Sequence, residues 1–456
     1  MATVSRRVLI GGGVATYVGG VGGMWWHRSR RALPAALGVT VAMRSDTTGL
    51  PWAETRRVVG AEELDRVVPG TRVLRGRHEA THLRAQEEWL SGLTLPSPDL
   101  GTGVPGDLYE QAALDLWVLG HRLPAAVAGW PSRWRYVWPR DASHVAVALS
   151  RIGDHAGAVR QLRALDRLVG DGDRLQARYR LDGSVPDARA PQDDGAGWIL
   201  WALAGTQDSW VGTPHEETAH RLARHCTERQ LARLGEDGLP GASPDYWEVA
   251  APELTLGIAA PALVALERAA ALWSGPLRTA RTQGEDGPAI ERADRCRTAA
   301  QVLAGRVRER FGGAGWPREI TGGPSDAAIA FLLPPYRPVA SADGSMRGAV
   351  DKAAGEMRRD NGGYAPGGGW KQDGVAWTPE TALLAAAWQG AAAGSRGAEG
   401  GQGSDDRVRE TLGWLARHRT AAGSLPEKVR HDGSPAGPAP LAWTAAVLLV
   451  QGADAT

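Results

Sequence analysis

The sequence has almost no cysteine and almost no phenylalanine. Only Cys226 and Cys296 occur among 456 residues, and neither sits in a C-x-x-C pair. A disulfide framework is therefore excluded, and the redox compartment is left open. Net charge is equally scarce: 52 Lys and Arg oppose 51 Asp and Glu, leaving +1. With no broad positive field, no long basic block and no G-x-x-x-x-G-K phosphate loop, the chain gives no sign of a nucleic-acid partner. Repeats of fixed length are missing too, which argues against a TPR or HEAT array.

At 43% hydrophobic residues, the chain can bury one large core or two moderate ones. Its aromatic complement is lopsided, with 19 Trp against 7 Tyr and 2 Phe. An indole stacks on the C–H face of a sugar ring while its N–H donates, so the excess fits carbohydrate recognition. Packing in the core is the other use of so large a side chain.

The first 31 residues stand apart from the rest. Arg6 and Arg7 precede an uncharged run from Val8 to Trp26, followed by His27, Arg28, Arg30 and Arg31. That run approaches the roughly 20 apolar residues that span a bilayer, but its many glycines make insertion only marginally favourable. SRRVLI resembles a twin-arginine export signal, and no A-x-A cleavage site follows. Residues 1–31 are thus expected to anchor the chain in a membrane or direct it across one. Basic residues on both flanks leave the orientation open.

Residues 32–104 read as a mixed extension or linker. LGVTVAM and RVVPGTRVLRG suggest short strands, EATHLRAQEEWLSGL a helix, and TLPSPDLGTGVPG a boundary. Beyond it, apolar residues recur at spacings of three and four. Examples are DLYEQAALDLWVLGH, DASHVAVALSRIGDHAGAVRQLRALDRLV, GAGWILWALAG, EETAHRLARHCTERQLARL, LTLGIAAPALVALERAAALW, TPETALLAAAWQGAAAG and PLAWTAAVLLV. About ten or more helices without βαβ alternation predict an all-α domain over 105–452, built as a solenoid, a bundle assembly or a closed α/α barrel. The polar motifs fall in the connections, where a rigid scaffold presents functional loops. WPRDAS, RYRLDGSVPDARAPQDDG, SPDYWEVA, NGGYAPGGGWKQDG and GSLPEKVRHDGSPAGPAPLAW each combine tight-turn residues with carboxylates, aromatics or both. The pattern is that of a cleft of carboxylates walled by indoles.

Four of these motifs, RYVWPRDASHVAVAL, PQDDGAGWILWAL, SPDYWE and LPEKVRHDGSPAGPAPLAWTAA, occur in an order that resembles glycoside hydrolase family 15, the glucoamylase-like enzymes. The resemblance implies an (α/α)6 barrel of six helical hairpins, and an inverting hydrolase that releases glucose from the non-reducing ends of α-glucosides. It assigns Glu248 as general acid and Glu427 as general base. Arg140 and Asp141 match the family's pair at the floor of the sugar pocket, where a rigid fork of donors beside an acceptor reads hydroxyls. Asp194 matches a carboxylate near the pocket, with Asp193 as its alternative. Tyr136, Trp138 and Trp247 are candidates for stacking on sugar rings, and Trp370 and Trp443 for wall or core.

Inversion needs one carboxylic acid and one carboxylate on opposite faces of the bond, about 6.5–9.5 Å apart. An indole and partial burial beside Glu248 are expected to keep that group protonated. The competing reading of Asp141 is a helix N-cap paired with Arg140. No cofactor and no catalytic metal are expected, since neither His144 nor His431 belongs to a cluster with ligand spacing. The expected partner is an α-glucoside oligosaccharide or polysaccharide. Two departures qualify the match. Val249 stands where many relatives carry a second Glu, and residues 32–104 are too short for the large β-sandwich of prokaryotic relatives. A trehalase on the same scaffold, or an anchored sugar-binding protein without turnover, are the alternatives.

Overall fold

The structure is a computed structural model, and the residues described are 37–46, 51–97, 104–170, 174–279, 286–338, 344–394 and 401–453. They belong to one compact unit, Ala36–Thr456. The predicted membrane segment, residues 1–31, lies outside the described residues.

The helices are α1 (Glu79–Ser91), α2 (Leu108–Gly120), α3 (Pro139–Arg151), α4 (His155–Val169), α5 (Asp194–Gly205) and α6 (Glu216–Ala232). They continue as α7 (Leu256–Ser274), α8 (Asp286–Arg310), α9 (Gly344–Met357), α10 (Thr378–Gly394), α11 (Gly401–Arg417) and α12 (Ala442–Ala453). An inner ring runs α3, α5, α7, a 3-10 helix at Ala327–Leu332, α10 and α12, and α12 packs back on α3. Behind these stand α4, α6, α8, α9, α11 and α2, each against its inner neighbour. Among the described residues this is the arrangement of an (α/α)6 barrel.

Composition sorts the two rings. Inner helices α5 and α12 have no charge beyond the first turn and are buried almost all round, as helices enclosed on every side must be. Outer helix α4 is amphipathic, burying Leu162, Leu165 and Val169 while Arg163 and Arg167 face out. Helix α7 is long and apolar enough to cross a membrane, yet it forms part of the inner wall with 78% of its apolar window buried. Gly197 lets α5 approach it closely, because a Cβ there would lie 2.7 Å from the Pro261 carbonyl oxygen.

Two local readings are corrected. The run over 141–169 is two helices, broken at Gly153, whose φ of +94° no β-carbon favours. Asp154 then caps α4 by accepting from the Gly157 amide at 2.7 Å. In the extension, β1 (Thr40–Met43) pairs antiparallel with β2 (Arg56–Val59), and the strand expected in RVVPGTRVLRG reduces to isolated bridges Val67↔Leu74 and Met43↔Val73. Pro69 and Gly70, in a left-handed turn, prevent a longer ladder there. Helix α9 and the 3-10 helix carry too little large apolar periodicity to have been read.

The extension packs on the barrel through a fully buried ion pair, Arg72 Nη2 to Asp115 Oδ1 of α2 at 2.7 Å. Asp115 also accepts from Ser424 Oγ and the Leu425 amide, both at 2.9 Å, which fixes the entry to the loop before α12. That loop contributes β6 (Lys428–Val429) and β7 (Pro435–Ala436) to a small antiparallel sheet with β5 (Ala376–Trp377), which precedes α10; a further hairpin pairs β3 (Pro317–Glu319) with β4 (Gly322–Ser325).

Candidate active site

The first turns of α3, α10 and α12 meet. Arg140, the second residue of α3, lies with its guanidinium carbon 4.2 Å from the ring centre of Trp443 in α12. Its Nη2 donates to Asp141 Oδ2 at 2.8 Å, whereas Nε and Nη1 are buried with no hydrogen-bond partner in the protein. Burial opposes the Arg140 charge, but the carboxylates of Asp141, Asp194 and Glu248 outweigh it and hold its pKa above the usual value. Asp141 makes no side-chain cap, since the N-cap position belongs to Trp138. The cap-only reading of the pair is therefore set aside. Beneath them His144 is fully buried among Trp198, Trp201, Tyr336 and Trp443. Its Nδ1 lies 2.8 Å from the Arg140 carbonyl, and burial lowers its pKa to about 3, so it acts as a neutral prop.

Two further carboxyls point into this region. Asp194 opens α5, accepts from Trp198 Nε1 at 3.0 Å, and burial raises its pKa to about 7 despite the Arg140 charge. Asp193 is instead tied outward to Arg174 and Arg233 at 2.9 and 2.8 Å. Glu380, in the first turn of α10, is buried with Oε2 unpartnered, and burial lifts its pKa to about 8. Sequence reading passed over Glu380 because TPETALL carries only helix-forming signals.

Glu248 occupies a left-handed backbone conformation, φ +55°, which costs a non-glycine residue about 1–3 kcal/mol and recurs at functional sites. The loop is held there from below. Asp245 accepts from the Trp247 amide at 3.0 Å through its side chain and from the Glu248 amide at 2.8 Å through its carbonyl. Arg318 of β3 clamps Asp245 with contacts of 2.8 and 2.9 Å and reaches Asp326 at 3.0 Å. The Tyr246 hydroxyl donates to Asp326 as well. Glu248 Oε1 accepts from Trp138 Nε1 at 2.7 Å, and Oε2 pairs with Arg189. Its side chain is 28% exposed, so the expected indole and partial burial are present, with a cation added beside them.

Glu427 precedes β6. Its amide donates to the Pro438 carbonyl at 2.9 Å and its own carbonyl accepts from the Thr378 amide at 3.1 Å. Oε1 accepts from Trp134 Nε1 at 3.2 Å. Oε2 lies 3.1 Å from Lys428 Nζ, a charge contact without hydrogen-bond alignment. Room for this oxygen exists only because residue 437 is glycine: a Cβ there would stand 2.4 Å from it.

Trp134 and Trp138 belong to one short segment, WRYVW, which pairs with the next loop at Val137↔Tyr179. Four residues of extended chain span at most roughly 14 Å. One indole of this segment reaches each glutamate, so the two carboxyls stand over a common wall.

Tyr136 and Trp138 meet edge to face at 5.9 Å, with the Arg178 guanidinium 4.5 Å from the Tyr136 ring centre. Trp247 has Arg318 on one face at 3.7 Å and Trp370 against it at 4.7 Å, so only its other face is left for a sugar. Trp370 continues to Trp377, and Lys428 lies 4.1 Å over the latter. Trp443 is buried core that also supports Arg140. Among the described residues no group of three or more His, Cys, Asp or Glu is placed to hold a metal ion. Trp134, Arg189, Arg318, Glu380 and Lys428 were missed. Each joins the site through contacts that sequence spacing does not show, except Lys428, which adjoins Glu427.

Solved structures with the same architecture are glycosidases. A glycosidase variant in complex with glucose superposes with a TM-score of 0.60 at 20% identity, covering 76% of this chain and 95% of that one. Glucoamylase from Saccharomycopsis fibuligera gives 0.60 at 14%, covering 79% of this chain and 97% of that one. A glycoside hydrolase family 15 glucoamylase from Hypocrea jecorina gives 0.56 at 13%, covering 80% and 72%. No protein-family profile matches the sequence, and no curated protein is similar to it. What the likeness establishes is the fold, a six-hairpin barrel of the kind seen in glycosidases, glucoamylases among them.

Proposed function

We propose that the protein is a glycoside hydrolase, acting with inversion on the non-reducing ends of α-glucosides. The observation that carries this reading is the WRYVW segment, whose two indoles donate to Glu248 and Glu427 beside an Arg140 with buried, unpartnered donors. Two carboxyls over one wall suit an acid and a base, and unpaired donors beside Asp141 suit a sugar's hydroxyls. Glu248 then protonates the leaving oxygen as the bond to the anomeric carbon breaks. Glu427 takes a proton from the water that attacks the opposite face. Arg140, Asp141 and Asp194 are buried, which supports reading them as the floor of a sugar pocket that would confine attack to chain ends. We further propose export or anchoring through Val8–Trp26, supported by Arg6–Arg7 and the uncharged run behind them.

One observation favours the binding-only alternative: each glutamate is paired with a cation, Arg189 or Lys428. The deciding experiment incubates the full chain with maltose, maltotriose, isomaltose, panose and trehalose, and follows the anomer of released glucose by proton NMR. Initial β-glucose supports inversion, and the order of rates names the linkage. Activity on trehalose alone would favour the trehalase reading. Glu248→Gln is expected to lower kcat by several orders of magnitude with binding largely kept. Undiminished turnover by that variant refutes the assignment.

A further inference from the structure

Both oxygens of Glu248 are occupied as acceptors in this structure. Trp138 Nε1 holds Oε1 at 2.7 Å, and the Arg189 guanidinium holds Oε2. A guanidinium on this oxygen favours the carboxylate and so works against the protonated form that an acid needs. Arg189 must therefore withdraw before Glu248 acts as an acid, and its surroundings supply a place to go. Its Nε already lies 3.4 Å from Asp187 Oδ2, on the same loop, and Asp187 is anchored by Arg178. Arg178 in turn packs over Tyr136 and Trp138. The Arg189 side chain is 31% exposed, within reach of solvent, so an incoming sugar can displace it.

We propose that Arg189 is a positioning residue for the general acid: it holds Glu248 as an acceptor in the free site and retreats onto Asp187 when the leaving-group sugar enters. This rests on the hydrolase reading above. As Arg189 leaves, Glu248 Oε2 takes a proton from solvent; it gives that proton to the glycosidic oxygen as the C–O bond breaks and water bonds to the anomeric carbon, and the new carboxylate recaptures Arg189 after release. The same move places a cation at the leaving-group side of the cleft, where exposed Val249 offers no charge of its own.

The charged groups facing Glu248 are Arg140 and Asp141 from α3, Asp245 from its own loop with Arg318 behind it, and Arg189, Asp187 and Arg178. Two variants alter only the last trio. In Arg189→Gln, the alkaline limb of the kcat/KM profile should move up, because a neighbouring cation no longer favours the carboxylate. In Asp187→Asn, Arg189 loses its alternative partner and the limb should move down. Binding of a glucose-like iminosugar, which reports on the Arg140 pocket, should change in neither. Carbon-13 NMR of the Glu248 carboxyl, assigned by its loss in Glu248→Gln, gives the same titration without turnover. An unmoved carboxyl titration in Arg189→Gln, with the iminosugar still bound, overturns the proposal. A wild type that cleaves no α-glucoside while its Glu248 titration still moves with Arg189 strikes down the hydrolase reading instead, and leaves the pairing standing.

Discussion

Replacing Gly437 by alanine tests the proposed role of Glu427 as base more sharply than deleting Glu427 itself. The added methyl would stand 2.4 Å from Glu427 Oε2 and 3.0 Å from its Cβ, in a backbone with φ +74°. The Glu427 backbone cannot yield, since its amide and carbonyl are both engaged, at 2.9 and 3.1 Å. The carboxyl must therefore swing away by about 1 Å, a displacement that costs on the order of 10²-fold when it befalls a reacting group. A left-handed alanine adds roughly 1–2 kcal/mol of backbone strain. The expected outcome is a kcat lower by about 10²-fold and a melting temperature a few degrees lower. Iminosugar affinity should be unchanged, because Arg140 and Asp141 are untouched. The assay compares kcat, inhibitor Kd and thermal unfolding of the same preparation. Wild-type kcat in a variant with the expected loss of stability would refute Glu427 as the positioned base.

Other expectations concern binding and stability. Arg140→Lys removes a fork of donors that a point charge cannot reproduce, and should reduce kcat/KM by about 10–100-fold, checked by steady-state kinetics. Glu380 and Asp194 have pKa values raised in the folded state, to about 8 and about 7, so the native state binds more protons than the unfolded one above the model-peptide range. Their contribution is complete below that range and is lost as pH rises through the folded values. Glu380→Gln should therefore gain melting temperature relative to wild type between about pH 5 and pH 8, and a parallel pair of melting curves would disprove the linkage. Arg72→Met leaves Asp115 buried without its cation and should cost about 3–5 kcal/mol, read by denaturant unfolding.

The inner helices were legible because enclosure demands unbroken apolar composition, as in GAGWILWALAG. The two glutamates and the Arg140–Asp141 pair were legible because their motifs have a recognisable local form. Helix α9 was not, since GSMRGAVDKAAGEM buries small residues and shows little periodic contrast. The partners of Glu248 and Glu427 were hidden for a different reason. Trp134 meets Glu427 across 293 positions and Arg318 meets Asp245 across 73, distances bridged only when the ring closes. The cation beside each glutamate, Arg189 or Lys428, was hidden likewise.

The brace between the extension and the last loop has a consequence for synthesis. Thr40 Oγ1 lies 2.8 Å from Ser424 Oγ, the Leu37 amide donates to the Gly437 carbonyl at 3.0 Å, and Trp443 supports Arg140 from α12. The candidate site therefore draws on segments made early and segments made late. If the proposed function holds, a nascent chain stays inert toward sugars until α12 has emerged and the early strand has found the late loop.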